Sequence, residues 1–270
     1  MRLASFFLVM LIIACGVCSV VAGEAKTPAT KQEAKPEVQP AAVPDAATAV
    51  AALRKLGAKV TLSDDGQAVA VEAVKLKLTD ADLVNLQALP DLELLVLEIT
   101  GGQVTDAGLV NLQKLTKLEK LYLQNVKITD AALSNLGGLK KLRVLSLGNS
   151  GISGKGFEHL KPLSELEVLN LSGDPIVDAS LVHLKGLAKL NTLTLDGSKV
   201  TDAGLEHLKP LSLMRVLNLN GTKVTDAGLK HLEGLDCLRM LYLYDCKVGN
   251  KGVNKFKKKM SGLAVYFDLE

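Results

Sequence analysis

The 270-residue chain has no tryptophan, only four tyrosines and five phenylalanines, and only four cysteines. Its charges nearly cancel, 32 Lys plus Arg against 29 Asp plus Glu. Each shortage excludes something. An aromatic share of 3% leaves no repeated stacking platform of the kind used by single-strand nucleic-acid binders. A net charge of +3 is too small to announce a nucleic-acid or membrane-surface protein. Cysteines at 15, 18, 237 and 246 are too few and too scattered to read as a disulfide framework. The 48% hydrophobic share in turn excludes wholesale disorder, and collagen is excluded with it.

The amino terminus reads as an address. Arg2 followed by the apolar run Leu3 to Ala14 has the order of a secretory signal and is too short to span a bilayer comfortably. Ala22 and Gly23 suit signal peptidase, giving a signal peptide over 1–23. Ile12-Ile13-Ala14-Cys15 is a second reading, a lipobox in which Cys15 is lipidated and tethers the chain. Residues 24–45, with Pro28, Pro36, Pro40 and Pro44 among Ala, Lys, Glu and Gln, form a linker unable to bury enough apolar surface to fold. The expected location is extracytoplasmic: secreted, periplasmic or held by a lipid anchor.

The rest of the chain repeats. Val104-Thr105-Asp106 recurs as Ile128-Thr129-Asp130, Ile152-Ser153-Gly154, Ile176-Val177-Asp178, Val200-Thr201-Asp202 and Val224-Thr225-Asp226, always 24 residues on. An earlier copy starts at Leu78-Thr79-Asp80 and lasts 26 residues; a degenerate one opens at Val248-Gly249-Asn250. Within each copy, L-x-x-L-x-L (Leu118, Leu121, Leu123; Leu142, Leu145, Leu147) supplies a short strand. Thr201 offers a helix cap, Asp202 favours the positive helix end, and Leu205 with Leu208 forms an inward stripe. One copy cannot offset its own ordering entropy, so the copies must stack and cover each other's leucines. The expected layout is an N-terminal cap over 46–77 (a helix from Asp45, then a hairpin), repeats over 78–247, and a C-terminal cap over 248–270 ending in strand Val265-Tyr266-Phe267.

The pattern Val/Ile-Thr-Asp-Ala-Gly-Leu-x-His/Asn-Leu-x-x-Leu resembles leucine-rich repeats of the ribonuclease-inhibitor and cysteine-containing, F-box-associated kind, and more closely exported planctomycete-type bacterial versions. The resemblance implies an α/β, right-handed solenoid, or horseshoe, with a parallel concave sheet of about nine strands and short convex helices. It also implies a binding role. No F-box-like module precedes the repeats, which counts against a ubiquitin-ligase adaptor; that role remains an alternative, as does a lipid-anchored envelope scaffold or glycan-binding protein.

Chemistry-bearing candidates divide by how they repeat. His159, His183, His207 and His231 lie 24 apart and alternate with Asn85, Asn111 and Asn135 at the same position, so they read as a surface or structural ladder and not as metal ligands. Asp80, Asp106, Asp130, Asp178, Asp202 and Asp226 read as helix caps and dipole partners. A triad such as Ser212, His207 and Asp202 can be drawn from any repeat, which argues against all of them. Cys246, in the slot of Val126, Ser150, Ser198 and Thr222, reads as a buried thiol. Lys251, Lys255, Lys257, Lys258 and Lys259, and the row Lys161, Lys185 and Lys209, read as solvated faces.

The concave sheet is the informative surface. Its central row runs Val96, Tyr122, Ser146, Asn170, Thr194, Asn218, Tyr242. Nine strands at about 4.8 Å give a face near 40 Å long, the scale of a protein interface. Tyr242 and Tyr244 beside Met240, with Asn218 and Asn220 on the next strand, form the candidate hot spot, and Tyr122 and Asn170 extend it. The expectation is a monomeric, non-catalytic module for a protein partner, without cofactor, metal or nucleic acid, and meeting a membrane only through its signal or a lipid anchor.

Overall fold

The computed structural model describes residues 43–268. The signal segment 1–23, Cys15 and most of the linker lie outside the described residues. The described chain opens with α1 (Ala46–Lys55), capped by Asp45, whose side chain accepts from Thr48 N at 2.9 Å. Gly57, with φ +96°, makes the left-handed exit that a side chain would strain. Then come β1 (Lys59–Leu62) and β2 (Ala68–Leu76), an antiparallel hairpin with Val60 opposite Val71.

From β2 on, one strand follows per coil: β3 (Leu94–Ile99), β4 (Lys120–Gln124), β5 (Val144–Ser146), β6 (Val168–Asn170), β7 (Thr192–Thr194), β8 (Val216–Asn218), β9 (Met240–Leu243) and β10 (Ala264–Phe267). All ten strands form one sheet in sequence order, and β2 to β10 are parallel. That makes nine parallel strands, with β1 added antiparallel as a tenth. The register advances one coil at a time, so Leu121, Leu145, Leu169, Leu193, Leu217 and Leu241 stand in one line, each fully buried.

The return paths are tighter than the helices expected from sequence. Single α-turns occur at α2 (Asp106–Leu109) and α3 (Asp202–Leu205), whereas most coils use 3-10 turns such as Asp130–Asn135 and Asp178–Gly186. The leucine spacing explains this. Leu205, Leu208, Leu211 and Met214 fall every third residue, the period of a 3-10 turn, and all four are fully buried. An α-helix would swing the third and fourth of them off the core. The last coil carries α4 (Asn250–Lys257), which buries Val253 and Phe256.

Each strand from β3 to β9 is followed by a residue in the left-handed region: Gly101, Asn125, Asn149, Gly173, Gly197, Gly221 and Asp245, with φ between 57° and 73°. The position accepts only the residue types that tolerate that geometry, and it fixes the turn out of the sheet.

The aspartates correct the sequence reading. Thr201 does cap its turn, accepting from Ala203 N at 3.3 Å. Asp202, however, spends its carboxylate on the next coil, accepting Thr225 N at 2.8 Å and Thr225 Oγ1 at 2.6 Å. Asp80 does the same for Thr105, Asp106 for Thr129 and Asp178 for Thr201. These groups are rungs between coils more than partners of their own helix dipole. Burial works against ionisation of Asp130, but donors on Ser153, Gly156 and Gly154 outweigh it and hold its pKa below the ordinary value. At the first coil, with no earlier aspartate to serve it, Thr79 donates to Asp82 of its own turn (2.8 Å).

Candidate functional site

The sheet face opposite the helical turns carries the central row in the expected order, since Val96 pairs with Tyr122, Tyr122 with Ser146, and so on to Asn218 with Tyr242. It is less open than alternation alone implies. Ser146 and Thr194 are buried between larger neighbours, and Tyr122 is half-buried, which raises its hydroxyl pKa.

The three asparagines proposed as contacts are engaged within the sheet. Asn170 Oδ1 accepts Ser172 N at 3.0 Å while its amide donates to Ser146 Oγ at 3.1 Å. Asn218 Oδ1 accepts Asn220 N at 3.0 Å, and Asn220 Oδ1 accepts Tyr244 N at 2.8 Å. They brace the strand ends. Tyr122, on β4, stands five strands from β9, about 24 Å away, so it does not join the cluster.

The cluster that does assemble lies on the last two strands. Met240 is 36% exposed and Tyr244 41% exposed, and Tyr242 donates its hydroxyl to Met240 Sδ at 3.6 Å. Tyr266, not singled out in the sequence, completes it: its ring stacks on Tyr242 with centroids 4.8 Å apart and planes 12° from parallel. The signal was available, because Tyr266 lies 24 residues after Tyr242 and the strand had been foreseen. Further into the sheet, at the carboxyl ends of β6 to β8, Ser172 Oγ donates to Asp196 Oδ2 at 2.7 Å and Asn218 Nδ2 to Asp196 Oδ1 at 3.4 Å.

The remaining candidates do not converge on chemistry. Among the described residues no three His, Cys, Asp or Glu side chains are placed to share a metal ion. The four histidines are half-buried; His207 Nδ1 is buried without a partner among the described residues, and His159 Nε2 approaches Glu158 at 4.0 Å. Asparagine at the same position does bridge coils, Asn135 accepting from Gln113 at 2.6 Å. The triad is not assembled, since Thr225 occupies the Asp202 carboxylate. Cys246 is half-buried and not sealed as expected, its thiol donating to Leu219 O at 3.1 Å beside Thr222 Oγ1 at 3.4 Å; Cys237 is also free. Two hollows, of about 420 and 580 Å3, are lined by none of the candidate residues.

The Cys246 slot hides a residue the sequence reading passed over. Asp174, fully buried, occupies it one coil after Ser150. Its Oδ1 accepts Ser150 N at 2.9 Å and Gly151 N at 2.8 Å, while Oδ2 and Ser150 Oγ are buried without partners among the described residues. Burial pushes its pKa up to about 6, against the lowering effect of the Gly151 and Ser150 amides.

Comparison with known proteins agrees with this architecture. The family described as leucine rich repeat matches residues 116–176. Internalin C2 of Listeria monocytogenes superposes with a TM-score of 0.60 at 25% identity, covering 84% of this chain and 94% of that one. A leucine-rich-repeat protein of Leptospira interrogans gives 0.54 at 21% identity, covering 68% and 50%. The leucine-rich-repeat ectodomain of the Arabidopsis thaliana receptor kinase GASSHO1/SCHENGEN3, solved with CASPARIAN STRIP INTEGRITY FACTOR 2, gives 0.56 at 20% identity, covering 78% of this chain and 26% of that one. No curated protein sequence matches the chain. Among the described residues no helix is long and apolar enough to cross a membrane. The 24-residue coils fold as a leucine-rich-repeat solenoid, and the family model falls on the coils within residues 116–176.

Proposed function

We propose that the chain is an exported, non-catalytic binding module that takes a protein partner on its sheet face, with Met240, Tyr242 and Tyr244 as the principal contacts. The observation that carries this reading is the exposed aromatic and thioether cluster at one end of a face whose other members are mostly aliphatic side chains and short polar groups, several of the latter engaged within the sheet. Large, rigid side chains with polar tips are the residue types on which binding energy concentrates. Tyr266 buttresses Tyr242, while Tyr122, Asn170, Asn218 and Asn220 make up the flanking surface. Repeats of the same fold form the ectodomain of a plant receptor solved with CASPARIAN STRIP INTEGRITY FACTOR 2, which supports a polypeptide ligand.

Export is part of the same reading and rests on Arg2, the apolar run 3–14 and the linker, with Cys15 as the attachment point if the chain is lipidated. The Val/Ile-Thr-Asp-Ala-Gly-Leu motif resembles that of planctomycete-type exported versions, which supports the same reading. The test is affinity capture from envelope extract with the wild-type chain and with a Tyr242→Ala, Tyr244→Ala double variant. A species retained by the first and lost by the second is expected; equal recovery of every species removes the hot spot.

A further inference from the structure

The two edges of the sheet are built differently. β1 runs antiparallel to β2, slips register between Thr61 and Leu62, and carries Lys59 paired with Glu72 at 2.8 Å. A bulge and an edge lysine are devices that keep an edge from recruiting another strand. β10 has neither. Ala264, Val265, Tyr266 and Phe267 are uncharged, contain no proline, and pair with β9 in unbroken parallel register. Among the described residues no strand lies on the far side.

Three features of this edge coincide. Ala264 N–H donates to Arg239 O at 2.9 Å, so alternation along the ladder turns the N–H and C=O of Val265 and Phe267 to the open side. Their side chains, in register with the sealed Leu241 and Leu243, are only half-buried. Tyr266, 39% exposed, stacks one ring face on Tyr242, and no strand covers the other.

We propose that a second copy of the chain docks here, β10 against β10, antiparallel and in the register centred on Tyr266. A two-fold interface must be self-complementary, and this register is so in three respects. Val265 falls opposite the partner's Phe267, so the outward backbone groups of both close a hydrogen-bonded pair while the two half-buried side chains cover each other. Tyr266 falls opposite the partner's Tyr266 at a non-hydrogen-bonded site, where side chains approach most closely and aromatic pairs are favoured. Charge fits as well. Lys257 and Lys258, exposed and in no ion pair among the described residues, precede the amino end of the strand, whereas Asp245 and Asp268 stand at carboxyl ends, Asp268 accepting Asp245 N at 2.6 Å. Antiparallel docking sets the basic end of each copy beside the acidic end of the other; parallel docking would oppose like ends.

The test is sedimentation of the purified full chain over a range of concentrations, where the mass is expected to double as concentration rises. Tyr266→Cys is expected to give an oxidant-dependent, thiol-reversible covalent dimer absent from wild type, since a non-hydrogen-bonded antiparallel pair places its Cα atoms about 4.5 Å apart, within disulfide reach. Val265→Pro removes an outward N–H that the sheet does not use; it is expected to leave a monomer that still melts cooperatively, close to the melting temperature of Val265→Ala, which separates lost docking from lost folding. A wild-type chain that stays monomeric overturns the proposal, including one whose Val265 and Phe267 amides are protected from exchange by another segment of the same chain or by another protein. A dimer untouched by Val265→Pro, or one that Tyr266→Cys fails to cross-link, overturns it equally.

Discussion

The amino-terminal and carboxyl-terminal coils meet the same problem, a stack of leucines with a last layer, by different means. At the amino end α1 seals the core with Ala49 and Leu53, both essentially inaccessible, and the strand direction reverses in β1. At the carboxyl end the parallel pattern simply continues through α4 and stops at β10, with Val265 and Phe267 half-covered and Tyr266 exposed. One end is closed by a change of topology; the other is one more coil with nothing after it in the described chain. The proposed binding surface and the open edge both follow from that difference, because the exposed aromatic residues gather where the pattern ends.

The largest test of this contrast is at the closed end. Leu53→Ala should cost about 2–5 kcal/mol, read as a lower denaturation midpoint, because a sealed leucine leaves a cavity. Next come the aspartate rungs. Asp202→Ala strands two donors of Thr225 and should cost roughly 2–3 kcal/mol, while Asp226→Ala, which serves only Gly249 N at 2.9 Å, should cost about half as much. Equal costs would mean the rungs do not weaken toward the open end.

Between the ends, Asp174 gives a pH signature. Its folded pKa of about 6 lies above the ordinary 3.8, so the folded chain holds the proton more tightly. Its contribution is therefore favourable at low pH, falls as pH rises from about 4 to about 6, and stays unfavourable above that. Asp174→Asn should raise stability at pH 7.5 by about 1–3 kcal/mol and flatten the dependence between pH 4 and 6.5. A variant less stable than wild type at pH 7.5 would show that the Ser150 and Gly151 amides require the charge. The smallest effect is expected at the open end, where Val265→Ala should cost about 1 kcal/mol or less in the monomer, as only part of the side chain leaves water. A cost matching that of Leu53→Ala would erase the difference between the two ends.

Much of the architecture was legible from periodicity. The 24-residue step sets the register of the parallel strands from β4 on, and the 26-residue first copy that between β3 and β4, so the rows of the sheet face could be written down from the positions of Tyr122, Asn170 and Tyr242. The turn type was legible in principle, because Leu205, Leu208, Leu211 and Met214 fall at spacing three. The aspartate rungs were misassigned for a definite reason: Thr-Asp before an apolar run is also a helix-start signature, and sequence does not say whether a carboxylate turns to its own turn or to the next coil. Asparagine at the strand ends has the same ambiguity, since Asn218 is equally able to meet solvent or a neighbouring backbone amide.

The sequence by itself determined the repeat and the leucines that cannot stand in one coil alone, because these are properties of spacing and of residue type. Only the tertiary structure decided which polar groups are consumed in holding coils together and which remain free. It bound Asp202 to Thr225, buried Asp174 with one oxygen unmatched, and stacked Tyr266 on Tyr242 at the edge of the sheet. The physical reason is that a stack makes its contacts 24 residues apart, where local preference is silent and only the docking of one coil on the next chooses the partner.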